Sequence, residues 1–194
     1  MVEPLYHGTN KESQNNIVND GINLCINPKG GDFAVGFYLT PDLDSAKRMA
    51  MRKADFLSTP AIVELALKKS FREFLSVKDF GRITLNSSDS VLIGWAQFIV
   101  NNRCGTDYVR SVSSPGGYED NNLDKRYDIV IGQTADGAIS HIFRQCKEEK
   151  RMITLFKAKK LLENDYKIQY CISTERALSY LQYGPKEKKG VSWK

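Results

Sequence analysis

Three short segments hold side chains that could do chemistry together. In Leu5-Tyr6-His7-Gly8-Thr9 an imidazole stands beside a glycine. With no side chain at Gly8 a ligand can approach the main chain, whose N–H and C=O suit a small planar amide. In Gly36-Phe37-Tyr38-Leu39-Thr40 a tyrosine close to a glycine can present an uncovered ring face for stacking. In Ile168-Gln169-Tyr170-Cys171-Ile172 a glutamine begins an apolar run, either at an exposed sheet edge or placed to hydrogen-bond a ligand. Each also has an ordinary structural reading: a polar or capped histidine at a strand end, a cross-strand packing tyrosine, an edge glutamine.

The elements that must position these residues follow from local pattern. Residues 2–6 read as an extended segment and His7-Gly8-Thr9 as the break after it. Residues 11–20 predict a short helix stopped by Gly21, and residues 27–32 (NPKGGD) a turn-rich loop. Residues 36–40 form a strand closed by Pro41. Residues 42–56 form a helix with Ala46, Met49, Ala50 and Lys53 on one stripe and Asp42 and Asp44 suited to its start. Residues 61–67 predict a buried strand that continues as extended chain to Val77. Residues 91–103 predict a helix with Ser88 or Asp89 as cap. The polar stretch 106–126 reads as a long loop, a candidate lid or recognition element. Residues 127–132 predict a central strand, 138–163 helix with a break in the middle, 166–173 a strand, and 174–183 a helix closed by Gly184-Pro185. Strands and helices alternate irregularly, and neither G-x-G-x-x-G nor G-x-x-x-x-G-K-[ST] occurs. A mixed α+β architecture is expected rather than a regular βαβ succession.

Composition bounds the function. The chain has 194 residues, 41% hydrophobic and 26% charged, which excludes wholesale disorder and suits one domain. We expect that domain over residues 1–185 and a basic C-terminal tail over 186–194. No run of apolar residues is long enough for a membrane span. The opening MVEPLYHGT lacks the basic and apolar regions of a signal peptide, so a cytoplasmic location is expected, with signal-less export as a toxin the alternative. The net charge of +5 is mild, and its excess sits late, in KEEKR, KAKK and KEKK. Such runs usually mark solvated helix faces, and they make nucleic acid only a weak candidate partner. Cys25, Cys104, Cys146 and Cys171 lie far apart with no paired histidine spacing, so neither a metal site nor a disulfide framework is expected.

Taken jointly and in this order, the three chemical segments resemble the ADP-ribosyltransferase superfamily, specifically its diphtheria-toxin and poly(ADP-ribose)-polymerase-like branch. That branch carries a His-Tyr-Glu triad on three separated strands. The chain is still more similar to a bacterial domain family of unknown function in that superfamily, where the third member is commonly Gln. Its further marks are matched by Trp95-Ala96-Gln97-Phe98-Ile99-Val100-Asn101-Asn102-Arg103, by Tyr127-Asp128-Ile129-Val130-Ile131-Gly132 with Ala135-Asp136, and by Gln169, Thr174, Ala177 and Leu178. The resemblance spans residues 3–183.

The resemblance implies two small, mostly antiparallel sheets packed together, with helices inserted between strands and an NAD cleft between the sheets. It implies NAD as substrate, no metal, and a macromolecular acceptor, in first place a protein. His7, Tyr38 and Gln169 would be the catalytic set, and His7, Gly8, Thr9, Gly36, Tyr38 and Met49 the cofactor-binding set. His7 would bond the adenine-side ribose, the Gly8 main chain would clamp the carboxamide, and Tyr38 would stack on the cationic nicotinamide. Cleavage of the N-glycosidic bond passes through an oxocarbenium-like transition state that a carboxylate stabilises.

Gln169 departs from the triad, since it has no charge, and losing one such contact typically costs about two to three orders of magnitude in rate. Asp136 or Glu175 could supply a carboxylate, although Asp136 suits a turn, Glu175 suits a helix first turn and Asp128 reads as structural. Met49 stands where polymerase-like members carry a second aromatic; Phe33 or Phe37 could form that wall instead. Trp95, Phe98 and Ile99 read as core, and Arg103 could reach a pyrophosphate. The leading expectation is therefore a mono-ADP-ribosyltransferase of the glycosyltransferase class. The alternatives are a catalytically impaired NAD-binding domain, an interaction module on the same fold, an NAD glycohydrolase, or phosphate transfer to RNA.

Overall fold

In the computed structural model the described residues are 3–25, 31–54, 58–111, 120–135, 141–142, 144, 153–162 and 167–184. Strand β1 (Pro4–Asn10) runs straight into helix α1 (Lys11–Asp20). Asn10 makes the junction: its side-chain oxygen accepts from the Ser13 N–H at 2.8 Å, satisfying one of the free donors of the first turn. Gly21 ends the helix at φ +91°, a conformation that costs glycine little. Strand β2 (Phe37–Leu39) leads to helix α2 (Leu43–Lys53), capped by Asp42, whose carboxylate accepts from the Asp44 and Ser45 N–H groups. Then come β3 (Pro60–Leu67), the short α3 (Phe71–Phe74), β4 (Val77–Asp79), the long α4 (Asp89–Ser111) and β5 (Ile129–Gln133). The chain closes with α5 (Leu155–Leu161), β6 (Ile168–Ile172), α6 (Glu175–Leu178) and β7 (Leu181–Tyr183).

The strands form two sheets, and the architecture is α+β. One has three strands in the order β1-β3-β7, and the other has four in the order β2-β6-β5-β4. All pairings are antiparallel except β4 with β5. Leu5, Val63 and Leu65 of the first sheet pack against Leu39, Ile129 and Ile172 of the second in one buried cluster. On the far face of the second sheet, α4 and α5 bury Trp95, Phe98, Ile99 and Leu161 together with Phe33 and Val130. On the far face of the first, α2 lays Ala46 and Ala50 over Ile62 and Tyr6. Among the described residues no helix is long and apolar enough to cross a membrane.

Several local expectations change. His7-Gly8-Thr9 does not break the first strand: His7, Gly8 and Thr9 pair with Val63, Ile62 and Ala61. The chain after Leu67 does not stay extended. It turns through α3 and enters the other sheet as β4, beside β5. Helix α4 runs to Ser111, so the start of the expected 106–126 loop is helical. The helix expected over 174–183 stops at Leu178, where the Tyr180 N–H turns back to the Ala177 carbonyl. Leu181–Tyr183 instead pairs with β3, whose free edge is available to it. Of the helical stretch expected over 138–163, residues 141, 142 and 144 are helical and Thr154 caps α5, while 138–140, 143, 145–152 and 163 lie outside the described residues. Asp136, Cys146 and the 186–194 tail lie outside the described residues.

Candidate functional site

Besides packing face to face, the two sheets are hydrogen-bonded to each other at a seam between β1 and β2. Tyr6 and Thr40 exchange main-chain hydrogen bonds of 2.8 and 2.9 Å, and then β1 and β2 part. Backbone groups of an extended strand alternate in direction. The N–H and C=O of Gly8 therefore point the same way as those of Tyr6, towards β2 and not β3. The bond from Lys11 N–H to the Thr59 carbonyl fits this alternation, since odd-numbered β1 positions face β3. Where the strands separate, Gly8 presents a main-chain donor and acceptor to the opening between them.

That opening is a cleft of about 350 Å³. His7, Gly8, Tyr38, Met49 and Gln169 all line it. His7 crosses the seam: its Nδ1 lies 2.8 Å from the Tyr38 carbonyl oxygen. A carbonyl only accepts, so Nδ1 carries the proton and Nε2 keeps its lone pair. The ring stacks on Phe37, centroids 4.3 Å apart. Burial pulls the His7 pKa down to about 4; the Tyr38 carbonyl opposes that fall and the Lys53 charge adds to it. His7 is therefore a neutral imidazole with an acceptor nitrogen near neutral pH.

Tyr38 is held at its hydroxyl. It donates to the Ala34 carbonyl at 2.7 Å and accepts from the Phe33 N–H at 3.1 Å. Burial pushes the phenol well above its ordinary pKa, so it stays protonated. The receiving turn is tight, with Gly31 and Ala34 bonded to each other and Ala34 at φ +72°. A Cβ on Gly31 would sit 2.6 Å from the Tyr38 hydroxyl. The ring is thereby fixed with one edge anchored.

Gln169 reaches the same face of the second sheet by register. Tyr38 pairs with Cys171 across β2 and β6, and Gln169 lies two residues from Cys171, opposite Gly132 of β5. Side chains two apart share a face. Cys171 itself is buried beneath Tyr38, and burial lifts its thiol pKa to about 11, which makes it packing rather than nucleophile.

Helix α2 forms one wall with Ser45, Arg48, Met49, Arg52 and Lys53. The lining also holds a carboxylate that the sequence did not single out. Asp32 is 4% exposed. Its Oδ1 accepts from Arg103 Nε at 2.8 Å and Nη2 at 2.5 Å, and its Oδ2 accepts from the Ala135 N–H at 2.9 Å. The neighbouring Asn102 donates to the Asp32 carbonyl at 3.1 Å. The Asn-Arg pair ending the Trp95 motif therefore clamps Asp32 into the cleft wall, and Arg103 is committed to a carboxylate. Trp95, Phe98 and Ile99 are fully buried core, as read.

Other predicted residues stand elsewhere. Thr9 is buried and Gly36 packs against β6; neither lines the cleft. A Cβ on Gly36 would meet Cys171 Sγ and the Ile172 carbonyl at 2.6 Å, so its small size serves strand packing. Gly8 has a packing reason as well as its open backbone, because a Cβ there would fall 2.0 Å from the Ala46 carbonyl oxygen. Glu175 is an exposed first-turn residue outside the cleft. Asp128 is structural: it accepts from the Ser76 N–H, the Thr174 hydroxyl and the Arg176 guanidinium, tying β5 to α6. Burial raises its pKa, but these donors outweigh it and hold the carboxyl below its ordinary value. Phe33 and Phe37 are both buried, Phe37 beneath His7. Among the described residues no group of three or more His, Cys, Asp or Glu could hold a metal ion.

A protein-family model described as "Protein of unknown function (DUF3990)" matches residues 4–183. No curated protein and no solved structure matches the chain.

Proposed function

The chain belongs to the DUF3990 family, and we propose that its cleft binds NAD, cleaves the nicotinamide–ribose bond and transfers ADP-ribose to a protein acceptor. The observation that carries this reading is the convergence of His7, Tyr38 and Gln169, from three distant segments, on one cleft. The anchored Tyr38 ring suits a flat cationic heterocycle. The Gly8 N–H and C=O at the parted seam suit the carboxamide of that heterocycle. The lone pair on His7 Nε2 suits a ribose hydroxyl, and the Gln169 carboxamide suits the hydroxyl beside the scissile bond. In the reaction the bond from ribose C1′ to the nicotinamide nitrogen breaks and its electron pair leaves with neutral nicotinamide. An acceptor nucleophile then bonds C1′ and releases its proton.

One observation favours a second reading, a domain that binds NAD without turning it over. Asp32 is the one carboxylate among the described cleft-lining residues, and Arg103 neutralises it. Among the described lining residues no negative charge is left free to stabilise an oxocarbenium ion. The deciding experiment is nicotinamide release from NAD by the purified chain, with and without cell lysate, beside Tyr38→Ala. Release that requires lysate and Tyr38 supports the transferase. Release without lysate means that water is the acceptor and the chain is a glycohydrolase. No release, with NAD still raising Tm, supports the binding domain. No release and no binding of any nucleotide leaves an interaction module.

A further inference from the structure

The charge of the cleft is lopsided. Among its described lining residues stand Arg48, Arg52, Lys53, Arg103 and Lys167, against the single carboxylate of Asp32. Arg103 and Asp32 cancel each other. Arg48 bonds the Ser45 hydroxyl at 2.9 Å and lies 3.6 Å from the Asp42 carboxylate. Arg52 and Lys53 make no ion pair with any described residue, yet both stand in the wall of the cleft. Cations in the last turn of a helix are ordinarily explained by the helix dipole, and α2 does end on this pair. That explanation is indifferent to which way the side chains face. It does not account for two cations, unpaired among the described residues, in the cleft wall at the end of α2.

We propose that Arg52 and Lys53 form an anion subsite for phosphate groups of the ligand, with Lys53 beside the ribose position at His7. The placement rests on the reading of the cleft as a dinucleotide site. Lys53 is close enough to His7 to act on its charge, and partial withdrawal from water lowers the Lys53 pKa itself. A ribose hydroxyl on His7 Nε2 brings the 5′-phosphate of that ribose to the same end of α2. Arg52 offers a planar fork of donors to phosphate oxygens, and Lys53 a mobile point charge. Arg48, one turn before Arg52, extends the strip towards Met49 and the nicotinamide end. The subsite is thus built for a diphosphate, and it separates a dinucleotide from a nucleoside or a free nicotinamide riboside.

The test is direct binding to the full chain by calorimetry. The probes are inorganic pyrophosphate, ADP-ribose, NAD and nicotinamide riboside, each at low and high salt. Arg52→Gln with Lys53→Gln is expected to weaken pyrophosphate, ADP-ribose and NAD at least tenfold, and to leave nicotinamide riboside unchanged. Tyr38→Ala is expected to weaken NAD while sparing pyrophosphate. Arg52→Lys should recover part of the loss, which general destabilisation of α2 would not. Unchanged pyrophosphate and ADP-ribose affinity in the double variant would overturn the proposal, as would no binding of either by the parent chain. If pyrophosphate binds through Arg52 and Lys53 but NAD does not compete for it, the subsite stands and the dinucleotide reading fails.

Discussion

His7 and Tyr38 are joined across the seam between the two sheets by a 2.8 Å hydrogen bond from imidazole Nδ1 to main-chain carbonyl. The contact does two things at once. It ties β1 to β2 just where their backbones part, and it fixes the tautomer that leaves an acceptor nitrogen for a ligand. His7→Asn places an amide donor near the Nδ1 position and removes the acceptor. We expect it to fold with a modest loss of stability while NAD affinity falls about tenfold, a difference of roughly 1.4 kcal/mol. Both variants lose the ring stack on Phe37, but His7→Ala also loses the hydrogen bond to the Tyr38 carbonyl and should cost about 1–3 kcal/mol of stability. Urea unfolding beside NAD titration checks both, and parent-like NAD binding by the Asn variant would remove His7 from the site.

The same histidine makes a pH prediction. Its pKa is about 4 in the folded chain against an ordinary 6.5. Between those values the unfolded chain binds a proton that the folded chain does not. Stability therefore rises with pH across that window and falls as pH drops from 6.5 towards 4. The difference between parent and His7→Asn unfolding free energies should show this slope and flatten below about 4. NAD affinity should show no step near 6.5, because His7 stays neutral there.

Two glycines should respond oppositely to alanine. At Gly8 the new Cβ meets the Ala46 carbonyl oxygen at 2.0 Å and the Ala50 nitrogen at 2.8 Å, backbone atoms that cannot step aside. Gly8→Ala should cost at least about 3 kcal/mol, since α2 must shift bodily off β1. At Gly94, inside α4, a Cβ meets nothing within 4 Å. Gly94→Ala should stabilise by about 0.5–1 kcal/mol through helix propensity. Thermal unfolding of both variants tests the packing of α2 on β1 and the helical state of α4.

Gln169→Glu asks whether the missing charge limits turnover. If the cleft performs the proposed cleavage, a carboxylate at this position should raise nicotinamide release by about two to three orders of magnitude, the typical value of one preorganised electrostatic contact. Unchanged or lower release, with NAD binding retained, would show that position 169 does not face the developing charge.

Asp128→Ala removes the acceptor shared by Ser76, Thr174 and Arg176 without touching the cleft lining. It should lower stability by about 2–3 kcal/mol, because the Ser76 N–H and the Thr174 hydroxyl lose their partner. At a temperature where the variant is folded, NAD affinity should match the parent. The stability difference should shrink in acid as the parent carboxyl is protonated.

What the sequence determined by itself is local. Helix α1 and its stop at Gly21, the Asp42 start of α2 and the buried face of α4 were legible because capping and apolar periodicity act over a few residues. The three chemical segments were legible as residue types, a histidine beside a glycine, a tyrosine in an aromatic strand, a glutamine opening a strand. Their meeting in one cleft was decided by tertiary structure, through the Tyr6–Thr40 seam and the register that sets Tyr38 against Cys171 and Gln169 against Gly132. Tertiary pairing also overrode local signals at Leu181–Tyr183, where the open edge of β3 took a segment that its own pattern made helical. Asp32 shows the limit most clearly. In a run of Asn, Pro, Lys and Gly it reads as one more turn residue, and nothing in its spacing links it to Arg103 or Ala135. Only the packing of α4 and the end of β5 around that loop brings the three together, because a long-range ion pair leaves no periodic trace in the chain that forms it.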